Sequence, residues 1–152
     1  MRKNVICLLT IPFLLACSKK PYNGPKIQVA YNETGNLLEA SPMKMHSDAT
    51  ISKVDAVYYI GDDSCSACAK LKPQLEDWCT VYKGTIYYIP VSNITDANVN
   101  YLYEATEGYY QWTENSTVPA VYFFMKGEVV FQADQTNAME YLVERVEVAQ
   151  PE

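Results

Sequence analysis

The chain predicts an α/β domain in which a central mixed sheet of about four to five strands is flanked by helices. Three observations point there. Between residues 54 and 91, a short β-branched and aromatic run, a long helical stripe and a second such run follow one another. A strand–helix–strand succession of that length makes parallel neighbours. Two apolar runs meeting at Lys126–Gly127 form an antiparallel hairpin, and the 152 residues furnish one core rather than two.

Ile27–Tyr31 alternates apolar and polar residues and reads as an edge strand, closed by a turn over residues 32–36. Ser41–Pro42 supplies an N-cap and a first-turn proline, so a short helix runs to about Lys53. Val54–Ile60 is the next strand. Leu71, Leu75, Trp78 and Cys79 recur at helical spacing, which predicts a helix from about Cys65 to Tyr82. Lys83–Gly84 interrupts, and Thr85–Val91 is again a strand. Residues 96 to about 112 read as a helix with Val99, Leu102, Tyr103, Thr106 and Tyr110 to one side. Ala120–Met125 is a buried strand and Glu128–Gln132 its hairpin partner. A last helix begins near Thr136, with Met139, Leu142, Val143 and Val146 as its apolar stripe.

Residues 1–16 differ from the rest: Arg2–Lys3, then an apolar run of twelve from Val5 to Ala16, too short to span a bilayer as a stable anchor. That is the anatomy of a secretory signal. Leu14-Leu15-Ala16-Cys17 also resembles the lipobox of bacterial lipoproteins, which implies cleavage before Cys17 and a lipid on its sulfur. Residues 17–26, polar and broken by Pro21, Gly24 and Pro25, are then a lipid-anchored tether, and 27–152 the globular domain. The reading places the domain outside the cytoplasm, held to a membrane of the bacterial envelope. Loss of residues 1–16 removes two basic and no acidic residues, taking the formal charge from −6 to −8. No basic face remains for a nucleic-acid partner. Three cysteines stay in the domain, an odd number, so a disulfide scaffold is not expected.

Cys65-Ser66-Ala67-Cys68 lies where the second strand turns into the long helix. Two cysteines three apart can close a small disulfide. The first would stand at the helix N-terminus, where the dipole and unpaired amide N–H groups favour a thiolate. Cys79, about three turns beyond Cys68, reads as a buried structural thiol. His46 is the only histidine, so no zinc set can be assembled and no metal is expected.

With these features the chain resembles the thioredoxin family over residues 54–148. The resemblance rests on strand-then-Cys65-x-x-Cys68, Pro73 five residues later, Val118–Pro119 before a strand, and the Lys126-Gly127-Glu128-Val129-Val130 hairpin. It implies a thioredoxin-like fold and thiol–disulfide oxidoreductase activity without a cofactor. Cys65 would attack a protein or peptide disulfide, Cys68 would resolve the mixed disulfide, and an unidentified redox partner would recharge the pair. Pro119 would be cis, and the backbone at Val118 and Pro119 would align the substrate. Reductase or isomerase work is favoured over strong oxidation, because neither the Ser66–Ala67 dipeptide nor the flanking aspartates promote an unusually stable thiolate.

Three departures bear on activity. The dipeptide is Ser66–Ala67. Tyr59 stands where thioredoxins keep a buried Asp that accepts a proton from the second cysteine. Asp62 and Asp63 precede the motif and oppose the helix dipole. Tyr101, Tyr103, Tyr109, Tyr110 and Trp112 add either an aromatic rim or ordinary core packing. The competing expectation is a non-catalytic accessory or binding module, for instance for an exported peptide system, with a structural Cys65–Cys68 bridge.

Overall fold

The computed structural model describes residues 20–108 and 118–151. Its elements are β1 (Ile27–Val29), β2 (Leu38–Glu39), α1 (Pro42–His46) running into a π-helical turn Ser47–Ile51, and β3 (Ala56–Gly61). Then come α2 (Ser66–Tyr82), β4 (Tyr87–Pro90), a 3₁₀ turn Val91–Asn93, α3 (Val99–Ala105), β5 (Ala120–Met125), β6 (Glu128–Ala133), α4 (Ala138–Arg145) and β7 (Val146–Val148). Signal residues 1–16, Cys17 and the rim candidates Tyr109, Tyr110 and Trp112 lie outside the described residues.

Five strands form a mixed sheet in the order β2-β4-β3-β5-β6. β3 pairs in parallel with β4, Tyr58 opposite Tyr87, and antiparallel with β5, Ile60 opposite Ala120. Every residue of β3 is buried, because both faces of the sheet are covered. Side chains alternate across it. Val57 and Tyr59 join Leu71, Leu75, Trp78 and Cys79 of α2 on one face, with Leu142 of α4. Ala56, Tyr58 and Ile60 join Met45 and Leu102 on the α1–α3 face.

Local chemistry accounts for most boundaries. Ser41 caps α1, its Oγ accepting from the Lys44 N–H at 3.2 Å. Lys126 and Gly127 both adopt positive φ, 52° and 83°, as a two-residue hairpin turn requires. α2 passes through Pro73 and ends only at Lys83, in the left-handed region at φ 57°.

Two helices are shorter than the sequence predicts. α3 stops at Ala105 rather than near residue 112. Glu107 turns left-handed at φ 53° and the Gly108 N–H donates back to the Tyr103 carbonyl at 2.9 Å, a helix-ending motif that the sequence shows only as a glycine. α4 stops at Arg145, leaving Val143 exposed, and Val146 opens β7 instead of completing the stripe. β7 pairs in parallel with β1, Ile27 opposite Val146, in a separate two-stranded sheet, so β1 is not an edge of the main sheet.

Candidate active site

The β3–α2 junction is built from the backbone outward. β3 ends at Gly61, and Asp62 turns the chain: its Oδ1 accepts from the Ser64 N–H and hydroxyl, each at 2.8 Å, while its carbonyl accepts from the Cys65 N–H at 3.1 Å. The Ser64 bonds, the backbone one first, hold the Asp62 carboxyl below its usual range. Cys65 is the N-cap of α2, extended at φ −83° and ψ 121°, and its sulfur accepts from the Cys68 N–H at 3.1 Å. A sulfur therefore occupies the place where a Ser or Asp oxygen ordinarily satisfies the first free amides of a helix. Cys65 is half-buried, whereas Cys68, one turn on, is 2% exposed. Burial pushes the Cys68 thiol up to about 11, against the opposing effect of the Asp62 N–H, which donates to its sulfur at 3.5 Å. Both cysteines are free thiols.

The antiparallel register carries the second half of the site to the same place. Because Ile60 faces Ala120, the segment leaving β3 and the Val118–Pro119 segment entering β5 lie at the same end of the sheet. The Val118–Pro119 peptide is cis, and the Cys65 thiol donates to the Val118 carbonyl at 3.5 Å. Cys65, Cys68, Val118 and Pro119, separate in the chain, thus form one cluster.

No family model matches the chain, and no curated protein matches it. Solved structures do. Oxidised thioredoxin O1 from Arabidopsis thaliana superposes with a TM-score of 0.54 at 17% identity, over 74% of this chain and 99% of that one. A mutant thioredoxin from Halobacterium salinarum gives 0.51 at 17%, over 76% and 96%. Thioredoxin f2, in its complex with ferredoxin:thioredoxin reductase, gives 0.52 at 11%, over 72% and 94%. The chain has the thioredoxin fold.

Within that thioredoxin fold, two of the three departures acquire structure, Tyr59 and the aspartate pair. Tyr59 is fully buried beneath the dithiol, stacked on Tyr88 at 5.1 Å between ring centroids. Its hydroxyl has no hydrogen-bond partner, and burial first, then the neighbouring Cys68 sulfur, push its ionisation well above the usual phenol range. Asp63 is not an unopposed charge: Lys72 Nζ stands 3.1 Å from its Oδ1 and 4.5 Å from the centre of the Tyr88 ring. Asp62, Asp63, Cys68, Lys72 and Glu76 line an open pocket of about 310 Å³.

Other candidates lie elsewhere. Cys79 is fully buried, its thiol pushed up to about 11 chiefly by burial. Tyr103 packs on the α1–α3 face, in the same cluster as Val118, and Tyr101 lies 5.2 Å from His46. Sequence reasoning missed the part played by Gly61: a Cβ there would meet the Tyr59 hydroxyl, so this glycine makes room for the phenol. Its position two residues after Tyr59, on the same face of the strand, was the available signal.

Proposed function

We propose that this chain is a thiol–disulfide oxidoreductase acting on protein or peptide disulfides, tethered outside the cytoplasm through lipid on Cys17. The observation that carries the activity is the Cys65 sulfur at the helix N-cap, held between the Cys68 N–H at 3.1 Å and the Val118 carbonyl at 3.5 Å. An amide N–H is the partner a thiolate needs, and once Cys65 gives up its proton the Val118 carbonyl loses its thiol donor and can pair with an extended substrate backbone. Cys65 attacks a substrate disulfide; one substrate sulfur leaves as thiolate and the other stays bonded to Cys65. Cys68, shielded by burial from competing reagents, then attacks Cys65, releasing reduced substrate and leaving the Cys65–Cys68 disulfide. A partner dithiol returns the pair to thiols.

Reduction or isomerisation is the favoured direction, since neither the Ser66–Ala67 dipeptide nor the flanking Asp62 and Asp63 promotes the unusually stable thiolate of a strong oxidant. The anchor rests on the Leu14-Leu15-Ala16-Cys17 pattern. Dithiol-coupled insulin reduction tests the activity: wild type turns over and Cys65→Ser does not, whereas equal, negligible rates leave the non-catalytic module standing. That second reading is favoured by Tyr59 in place of a carboxylate. Palmitate incorporation in the wild type, lost in Cys17→Ala, tests the tether.

A further inference from the structure

Tyr59 lies beside the Cys68 sulfur, and the exchange reaction so far gives it no part. A fully buried hydroxyl without a partner is rare in a folded protein and asks for a cause. The strand is shaped around it, because Gly61 leaves the space that its hydroxyl and ring edge occupy. The group it acts on is Cys68: the phenol favours the ionised sulfur, and that sulfur in turn disfavours loss of the phenol proton. The phenol is therefore a donor only. The other groups around Cys68 are Cys65, whose sulfur disfavours its ionisation, Asp62, which offers its N–H, the Asp63–Lys72 pair, Glu76 at the pocket rim, and Tyr88 from β4.

Resting on the thiol–disulfide reading, we propose that the Tyr59 hydroxyl is the hydrogen-bond donor that receives the Cys68 thiolate when the mixed disulfide is resolved. The Cys68 proton passes to water in the pocket beside Asp62, Lys72 and Glu76. The thiolate then attacks Cys65 Sγ: the Cys65–Cys68 bond forms, the bond from Cys65 to the substrate sulfur breaks, and that sulfur leaves with the electron pair and is protonated by water. The cysteine pair is oxidised, the substrate is reduced, and Tyr59 keeps its proton throughout. A donor beneath the sulfur thus replaces a base.

The test is stopped-flow reaction of the reduced protein with dithiobis-nitrobenzoate. Attack by Cys65 releases one nitrothiobenzoate, and attack by Cys68 on the resulting mixed disulfide releases the second. Tyr59→Phe keeps the ring on Tyr88 and deletes the donor. Losing one hydrogen bond to a thiolate raises its ionisation midpoint by roughly one unit. The thiolate fraction at pH 7 then falls about tenfold while its intrinsic nucleophilicity rises about threefold. The second release therefore slows about threefold, with its pH profile moved up by about one unit, while the first keeps its rate. Gly61→Ala, whose Cβ displaces the phenol, reproduces the effect and carries the test should Tyr59→Phe fail to fold. An unchanged second release in the folded variant, or equal slowing of both releases, overturns the role of Tyr59. No second release from the wild type overturns the exchange reading itself.

Discussion

Replacing Asp48 with alanine tests how the α1 segment is fixed to the sheet. The Tyr58 hydroxyl, on a side chain with no exposure, donates to Asp48 Oδ2 at 2.6 Å. Lys44 Nζ donates to the same carboxylate at 2.9 and 3.1 Å and lies 4.4 Å from the centre of the Tyr87 ring, itself stacked on Tyr58 at 4.9 Å. Asp48→Ala orphans a buried phenol, at a cost of about 1–3 kcal/mol. The half-exposed pair with Lys44, four residues away on a helix, adds only about 0.3–0.5 kcal/mol. Water entering the neighbouring cavity of about 530 Å³, which Lys44, Asp48 and Tyr87 line, draws the first figure toward its middle. A loss of about 2 kcal/mol follows, or roughly 8 °C in Tm for a domain of this size. Tyr58→Phe alone costs about 1 kcal/mol. With both partners gone no polar group is stranded, so the double variant loses about 1.5 kcal/mol, less than Asp48→Ala alone. Urea unfolding of the four proteins gives a coupling energy of about 1.5 kcal/mol. A coupling near zero, with each single loss intact, would refute the reasoning.

Two further outcomes follow from the same geometry. Cys68 and Cys79 carry folded-state thiols raised by burial from the ordinary 9.0 to about 11, so above pH 9 the unfolded chain binds fewer protons than the folded one. Stability is full below about pH 9 and is lost as the pH rises through about 11, with the buried Tyr58 and Tyr59 phenols adding to the loss above about 10; urea midpoints fall across that window, and Cys79→Ala makes the fall shallower. Gly127→Ala places a Cβ against the Ala49 carbonyl oxygen at a φ of 83° and costs about 2 kcal/mol or more by urea unfolding, against less than about 0.5 kcal/mol at the exposed Glu128 beside it.

The parts of the fold written locally were legible in the sequence. Ala120–Met125 has the bounds expected of it, because six consecutive apolar residues between a proline and Lys126–Gly127 have no other home than a buried strand. Cys65 caps its helix as the strand-then-stripe pattern implies, and the Val118–Pro119 peptide is cis as the family resemblance implies. What depended on distant partners was not legible. Val146 continues the helical spacing of Leu142 and Val143 perfectly well; only its pairing with Ile27, at the other end of the domain, makes it a strand residue. The Lys44–Asp48–Tyr58 cluster has no signature either, since it forms only once α1 lies on the sheet. At the dithiol, the sequence marked Tyr59 as a missing carboxylate, and the buried, unpartnered hydroxyl made it a donor.

The central claim is that Cys65 presents its sulfur to solvent while Cys68 waits behind it. Brief iodoacetamide labelling of the fully reduced protein near pH 7, read by peptide mass mapping, measures this directly. Cys65 is expected to alkylate at least about tenfold faster than the 2% exposed Cys68 or the fully buried Cys79. Equal labelling of Cys65 and Cys68, with the fold intact by circular dichroism, would contradict it.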